Sequence, residues 1–340
     1  MAGLSNRSTL HRRLSSFVDW IATEAATEDR IREQADEIRS RIKAKAEEDG
    51  LTARSTPNSG SFAKRTGLRR HLQGDSDVEG QDVDLPFVVS PKTKDDEAVD
   101  RLLDKFLGYA KASYPDTASK KTKSSVKLSF VGSKLSYDLV PMLATTIPDE
   151  QILLRADGDR RRTSVQKHIQ FIRSRTQASN QIAGRVKFNE CVRLMKWWRE
   201  FRMANAGSIA ELPTFVVDLL SAKAFDTQSV SDTYAETLAS WFGFLANLVQ
   251  KRTAVYFSDF GSPRVMPRAT WVALDPVNPE NNAASAWTGL MVDELAEWLG
   301  EGRDAWSRAI AADLRGDDRA SLEALVALFG SPFRHHCGDK

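Results

Sequence analysis

The chain has 340 residues, with 48 lysines and arginines against 46 aspartates and glutamates and a net charge of +2. That length buries a sizeable core in two lobes or one large domain, and the charge balance excludes affinity for polyanions from bulk electrostatics alone. Two cysteines, Cys191 and Cys337, exclude a disulfide framework and a four-cysteine zinc site, which fits a reducing compartment. The polar, basic start Met1 to Leu14 lacks the apolar centre of an export signal, and no apolar run approaches the roughly eighteen residues of a membrane span, so the expectation is a cytoplasmic protein.

From Leu14 to about Glu48 apolar residues recur at helical spacing (Leu14, Phe17, Val18, Ile21, then Ile31, Ala35, Ile38, Ile42), predicting one long helix or two abutting ones that end at Gly50. A strand is expected before Gly60 and a stronger one over Asp82 to Val89. A helix follows from about Glu97 to Ala112, then strands at Val126 to Val131 and Leu135 to Val140, with Gly132-Ser133 as their hairpin turn. Asp75 and Asp77 lack apolar alternation and read as a solvated loop. After the charged segment Arg155 to Arg162 the pattern is helical, over Ser164 to Arg175, Gly184 to Met203, Pro213 to Ala222, Ser231 to Gln250, Ala284 to Leu299, Ala305 to Leu314 and Ala320 to Leu328. The implied class is α+β. A catalytic lobe over 1–160 carries a mixed sheet, an α-helical lobe spans 161–330, the N-terminal helix runs across both, and 331–340 is a mobile tail.

The chemistry concentrates in Asp82-Val83-Asp84-Leu85-Pro86-Phe87. Alternation on a strand puts the two carboxylates on one face and Val83, Leu85 and Phe87 on the other. Ionised carboxylates this close repel unless a cation lies between them, which suits a hard metal with oxygen ligands, Mg²⁺ above all where phosphates are handled. Asp138, alternating with Tyr137 and Leu139 on the second hairpin strand, supplies the third carboxylate that two metals require. Upstream, Gly60-Ser61 stands where a strand passes into a short helix. Glycine allows close backbone approach to a phosphate, and serine adds a hydroxyl donor. Each element alone is common; their order along the chain is not.

In that order the sequence resembles the polymerase-β-like nucleotidyltransferases, and within them the CD-NTases, bacterial cyclic-oligonucleotide synthases of the CBASS anti-phage systems, related to cyclic GMP-AMP synthase and oligoadenylate synthetase. Three further segments carry the likeness. Val192 to Arg199 resembles the helix whose lysine, here Lys196, touches the donor triphosphate. Leu212-Pro213-Thr214-Phe215 resembles the helix start where Thr214 would meet the triphosphate and Phe215 would stack on the base, and Asp275-Pro276-Val277-Asn278-Pro279 resembles a late family segment. The resemblance implies ATP or GTP as substrates, two Mg²⁺ ions with Mn²⁺ as a substitute, and Asp82, Asp84 and Asp138 as metal ligands and catalytic residues. It also implies a cyclic di- or trinucleotide read by a separate effector protein and a regulatory partner protein, while the cysteine and histidine positions do not supply the zinc ribbon through which the animal DNA sensor of the group is activated, which leaves a nucleic-acid requirement open.

Bland readings compete. Phe215 and the Trp197-Trp198 pair suit a core, Lys196 a solvated helix face, and Asp275 to Asn282 a capped loop. The basic runs Lys120, Lys121, Lys123 and Arg160 to Arg162 are the local hint of a polyanion partner, and so of the alternative, an enzyme that extends RNA or tags a tRNA or protein. A non-catalytic nucleotide-binding scaffold and a plain α+β domain are the remaining readings. His335, His336 and Cys337 are not expected to bind metal, and the end Gly338-Asp339-Lys340 does not suit conjugation through a C-terminal glycine.

Overall fold

The computed structural model describes residues 8–91, 101–182, 185–204 and 206–338. Its elements, in chain order, begin with α1 (Thr9–Ile21), α2 (Ala25–Glu48), β1 (Leu51–Ser55), α3 (Gly60–Lys64), β2 (Arg70–Gln73), β3 (Ser76–Glu79), β4 (Gln81–Pro91) and α4 (Leu102–Ser113). Strands β5 (Ala118–Lys121), β6 (Val126–Phe130), β7 (Leu135–Ala144), β8 (Gln151–Leu154) and β9 (Arg160–Thr163) complete the sheet. Then come helices α5 (Val165–Ile182), α6 (Phe188–Met203), α7 (Thr214–Gln228), α8 (Tyr234–Gln250), α9 (Gly289–Leu314), α10 (Asp318–Phe329) and α11 (Ser331–Cys337). Two compact units result: a sheet unit of Thr23–Arg69 with Glu79–Gln170, and a helical unit of the residues up to Ala22, Arg70–Val78, and those from Phe171 onward.

In the sheet unit the strand order is β1-β4-β7-β6-β5, with β8 on β7 and β9 on β8. Strands β4 and β7 are parallel and the other pairs antiparallel, so the expected mixed sheet is present. One face is apolar because odd positions of β4 (Val83, Leu85, Phe87, Val89) meet Leu128, Tyr137 and Leu139 and are covered by Ile31, Ile38 and Ile42 of α2 and Phe106 of α4. The opposite face is divided. Val88, Val140 and Met142 pack with Ala63, Val165 and Ile169 at one end, leaving the rest of that face to polar side chains.

The helical unit is held by aromatic packing. Phe17 of α1 contacts Trp197, Phe329 and Phe333, and Trp198 meets Phe242 edge-on at 4.9 Å. Both Trp197 and Trp198 are buried, as their core reading has it, and Trp197 Nε1 donates to the Phe329 carbonyl at 2.9 Å.

Several boundaries differ from those the sequence suggested. The N-terminal helix breaks at Ala22 to Glu24, and its halves belong to different units. Asp75 lies in an exposed turn, as the solvated-loop reading has it, but that turn joins a hairpin, β2–β3, and Asp77 is in strand β3, paired with Arg70 at 2.7 Å. The hairpin goes with the helical unit because Glu200 of α6 accepts the Leu72 N–H at 2.9 Å and lies 2.7 Å from His71 Nδ1. Glu200→Ala is therefore expected to lower the unfolding free energy by roughly 1–2 kcal/mol, measured by urea titration. Arg160 to Thr163 form a strand paired with β8, and α9 runs unbroken through Gly300 and Gly302 where two helices were expected. A Cβ at Gly302 would lie 2.3 Å from the Phe242 ring, so glycine there serves packing rather than termination. The C-terminal segment is no mobile tail through Gly338. Pro332 starts α11, whose Phe333 and Cys337 are buried, and the His336 ring stacks on Trp20 at 4.8 Å. The helix start expected at Glu97, and Gly184, Asp339 and Lys340, lie outside the described residues.

Candidate active site

Parallel pairing of β4 with β7 sets Asp82 opposite Ser136 and Asp84 opposite Asp138. Paired residues in a ladder project to the same face, and neighbouring strands stand about 4.8 Å apart, so the three acids share the polar face of the sheet. The antiparallel pairs continue the row, with Lys127 of β6 opposite Asp138 and Lys120 of β5 opposite Lys127. Two acids and two bases thus lie side by side across four strands.

Lys127 Nζ donates to Asp82 Oδ1 at 2.7 Å, with the Lys127 side chain 24% exposed and that of Asp82 58% exposed. Burial alone would lower the Lys127 pKa; its hydrogen bond to Asp82 and the charges of Asp82, Asp138 and Asp84 outweigh that, and the net direction is upward. Asp138 is driven the other way in chemical terms. Burial raises its carboxyl above the ordinary range, Asp82's charge adds to the rise, and the 2.6 Å hydrogen bond from Ser125 Oγ with the charges of Lys127 and Lys120 opposes it.

Gly60 touches this group directly. Its φ is +65°, in the left-handed region, and a Cβ placed on it would lie 1.7 Å from Asp84 Oδ2. Only glycine lets the start of α3 close over that carboxylate. Ser61 follows, half-buried, with its carbonyl accepting the Thr66 N–H at 2.9 Å.

The donor set has the chemistry of a hard-cation site: three carboxylates on rigid strands, one of them desolvated and raised by a neighbour's negative charge. Among the described residues, however, no three acidic, histidine or cysteine side chains are drawn together closely enough to hold an ion. The Asp82 carboxylate is instead engaged by Lys127.

Gly60, Ser61, Asp82, Asp84 and Asp138 all fall in the sheet unit; Lys196, Thr214 and Phe215 fall in the helical unit. Lys196 of α6 is not a solvated lysine. It is buried in an ion pair with Asp218 Oδ1 of α7 at 2.9 Å. Thr214 is the first, exposed residue of α7, and Phe215 beside it is half-buried rather than core. Asp275 is the organiser of its loop, Oδ1 accepting the N–H groups of Val277 (2.8 Å) and Asn278 (3.3 Å), which matches the capped-loop reading. Lys127 and Ser125 were missed by sequence reasoning. Alternation over Val126-Lys127-Leu128 was the available signal, since it sets Lys127 on the same face as Asp138.

Comparison with known proteins adds an independent line. The model of the Second Messenger Oligonucleotide or Dinucleotide Synthetase domain matches residues 9–175. The chain is 27% identical over 337 residues to the cyclic AMP-AMP-AMP synthase of Escherichia coli MS 115-1, covering 97% of this chain and 100% of that one. It is 26% identical over 304 residues to the CBASS oligonucleotide cyclase CdnC of Escherichia coli KTE188, covering 87% of each. The structure of E. coli MS115-1 CdnC in complex with HORMA-deltaN superposes with a TM-score of 0.76 at 25% identity, covering 97% of this chain and 99% of that one.

Proposed function

Because this chain belongs to the CD-NTase family and is a nucleotidyltransferase that synthesises cyclic oligonucleotides, we propose that it joins ATP, or ATP and GTP, into a cyclic di- or trinucleotide. The messenger would be read by a separate effector in CBASS defence. The observation that carries the active-site part of this reading is the register of β4 with β7, which sets Asp84 beside Asp138 with Asp82 on the same face. The name of the cyclic AMP-AMP-AMP synthase matched along almost the whole chain favours a ring of three adenylates.

Asp82, Asp84 and Asp138 would hold a pair of Mg²⁺ ions, with Mn²⁺ as a substitute, and the ions would neutralise the triphosphate and acidify the acceptor's ribose hydroxyl. Asp138, whose carboxyl burial raises above the ordinary range, is the base that takes the hydroxyl proton as the ribose oxygen attacks the α-phosphorus and pyrophosphate leaves. Gly60 fixes Asp84 by its closeness, and Ser61 supplies a hydroxyl to the phosphates. In the helical unit Thr214 offers a hydroxyl to the triphosphate and Phe215 a face for the base. Lys196 would have to leave or share Asp218 to reach a phosphate. Because CdnC was solved in complex with HORMA-deltaN, a partner protein of that kind is the regulator this reading favours.

Mass spectrometry of products formed from the four ribonucleoside triphosphates with Mg²⁺ tests the reading. A small phosphatase-resistant cyclic product, adenylate-only for the favoured ring, is expected. Label passing from triphosphate into RNA, tRNA or protein instead would overturn it.

A further inference from the structure

Lys127 sits on an interior strand of the sheet, between β7 and β5, with its stem three-quarters buried and its ammonium on Asp82 Oδ1. As a stabilising pair this is poorly placed. The acid is more than half exposed, and exposed ion pairs are worth about 0–1 kcal/mol. An alternating strand would gain more from a β-branched residue at that position. What the position does offer is reach: β7 lies between β6 and β4, so the side chain crosses over the strand of Asp138 to meet Asp82. The ammonium is thereby held above the face on which all three acids stand. The charges of Asp82, Asp138 and Asp84 all act on it.

We propose that Lys127 is the resident counter-ion of the acid row, a positioning residue that holds Asp82 away from Asp84 and Asp138 until a divalent cation displaces it, and so sets how readily the site loads. The inference rests on the reading of the three acids as cation ligands. It accounts for the contact of an ammonium with the Asp82 carboxylate on the face where Asp84 and Asp138 also stand. A divalent ion can replace that ammonium because it carries twice the charge and can take oxygens from several acids at once, whereas Nζ is bonded to a single one.

Direct Mn²⁺ binding to the full chain without nucleotide, followed by the loss of the free-ion electron paramagnetic resonance signal, tests this. Lys127→Met is expected to bind Mn²⁺ about two- to fivefold more tightly than wild type, the upper range of one exposed pair's interaction converted to affinity. Lys127→Arg, which keeps the charge, should show no gain, and the Mg²⁺ concentration for half-maximal synthesis should fall in Lys127→Met alone. If that variant melts well below wild type, the near-isosteric Lys127→Gln replaces it. Unchanged or weaker Mn²⁺ binding in the folded neutral variants overturns the counter-ion role while leaving the acids as ligands. Asp82→Asn/Asp84→Asn separates the two ideas. If it binds Mn²⁺ as wild type does, or if no protein binds the ion saturably, the ligand reading falls and the counter-ion with it.

Discussion

Asp82→Asn/Asp84→Asn should reduce the rate of cyclic product formation by roughly 10³-fold or more, because it removes the fixed charge meant to meet charge in the transition state. Its melting temperature should stay within about 2 °C of wild type. The two halves of the expectation come from the same strand. Asp82 and Asp84 occupy the polar face of β4, whereas Val83, Leu85 and Phe87 on the other side make the apolar core. Asparagine has nearly the volume of aspartate, and the core does not contact the replaced atoms. Product quantified by mass spectrometry beside a thermal melt decides it; substantial activity in the folded double variant would remove the acids from the chemistry.

Gly60→Ala is the second large effect, and it needs no change of charge. The new methyl would fall 1.7 Å from Asp84 Oδ2, so the carboxylate or the start of α3 must shift by more than an ångström. Misplacement by about 1 Å in a reacting site costs on the order of 10²-fold in rate. The residue also sits at φ +65°, where any side chain costs about 1–2 kcal/mol. Gly50→Ala separates these causes: Gly50 has φ +84° with nothing within 4 Å of an added Cβ. It should lose stability to the same extent and keep full activity. If Gly60→Ala does no more harm to synthesis than Gly50→Ala, the closeness of that helix start to Asp84 has no catalytic meaning.

Much of this was legible in the residues themselves. The strand beginning at Asp82 announced its two faces through the alternation of Asp82, Val83, Asp84 and Leu85, and the register of β4 and β7 puts the acid proposed from the hairpin, Asp138, next to Asp84. The helical second half was equally plain, since its aromatic and aliphatic residues recur at helical spacing. The missed features share a physical cause: they depend on partners remote in sequence. The β2–β3 hairpin has no apolar side of its own and is fastened by Glu200, so nothing near Asp75 and Asp77 signals it. The break between α1 and α2 lacks glycine and proline, and the two halves fall in separate units. α11 is too short to show a period, although Gly330 at φ +79° followed by Pro332 marks its start. Lys127 looked like one lysine among several because its meaning lies across two strands, at Asp82.

The parallel pairing of β4 with β7 has a kinetic corollary. The strands are separated by α4, β5 and β6, so their ladder closes only after a long stretch of chain has been ordered, a slow class of step in folding. A slip of one residue would turn Asp138 toward the aliphatic layer and Tyr137 or Leu139 toward Asp84, reversing every side chain of β7. Burying that carboxylate among Val83, Leu85 and Phe87 is so costly that a misaligned chain is steered off the native route before it can persist, and the alignment that makes the fold viable is the one that assembles the acids.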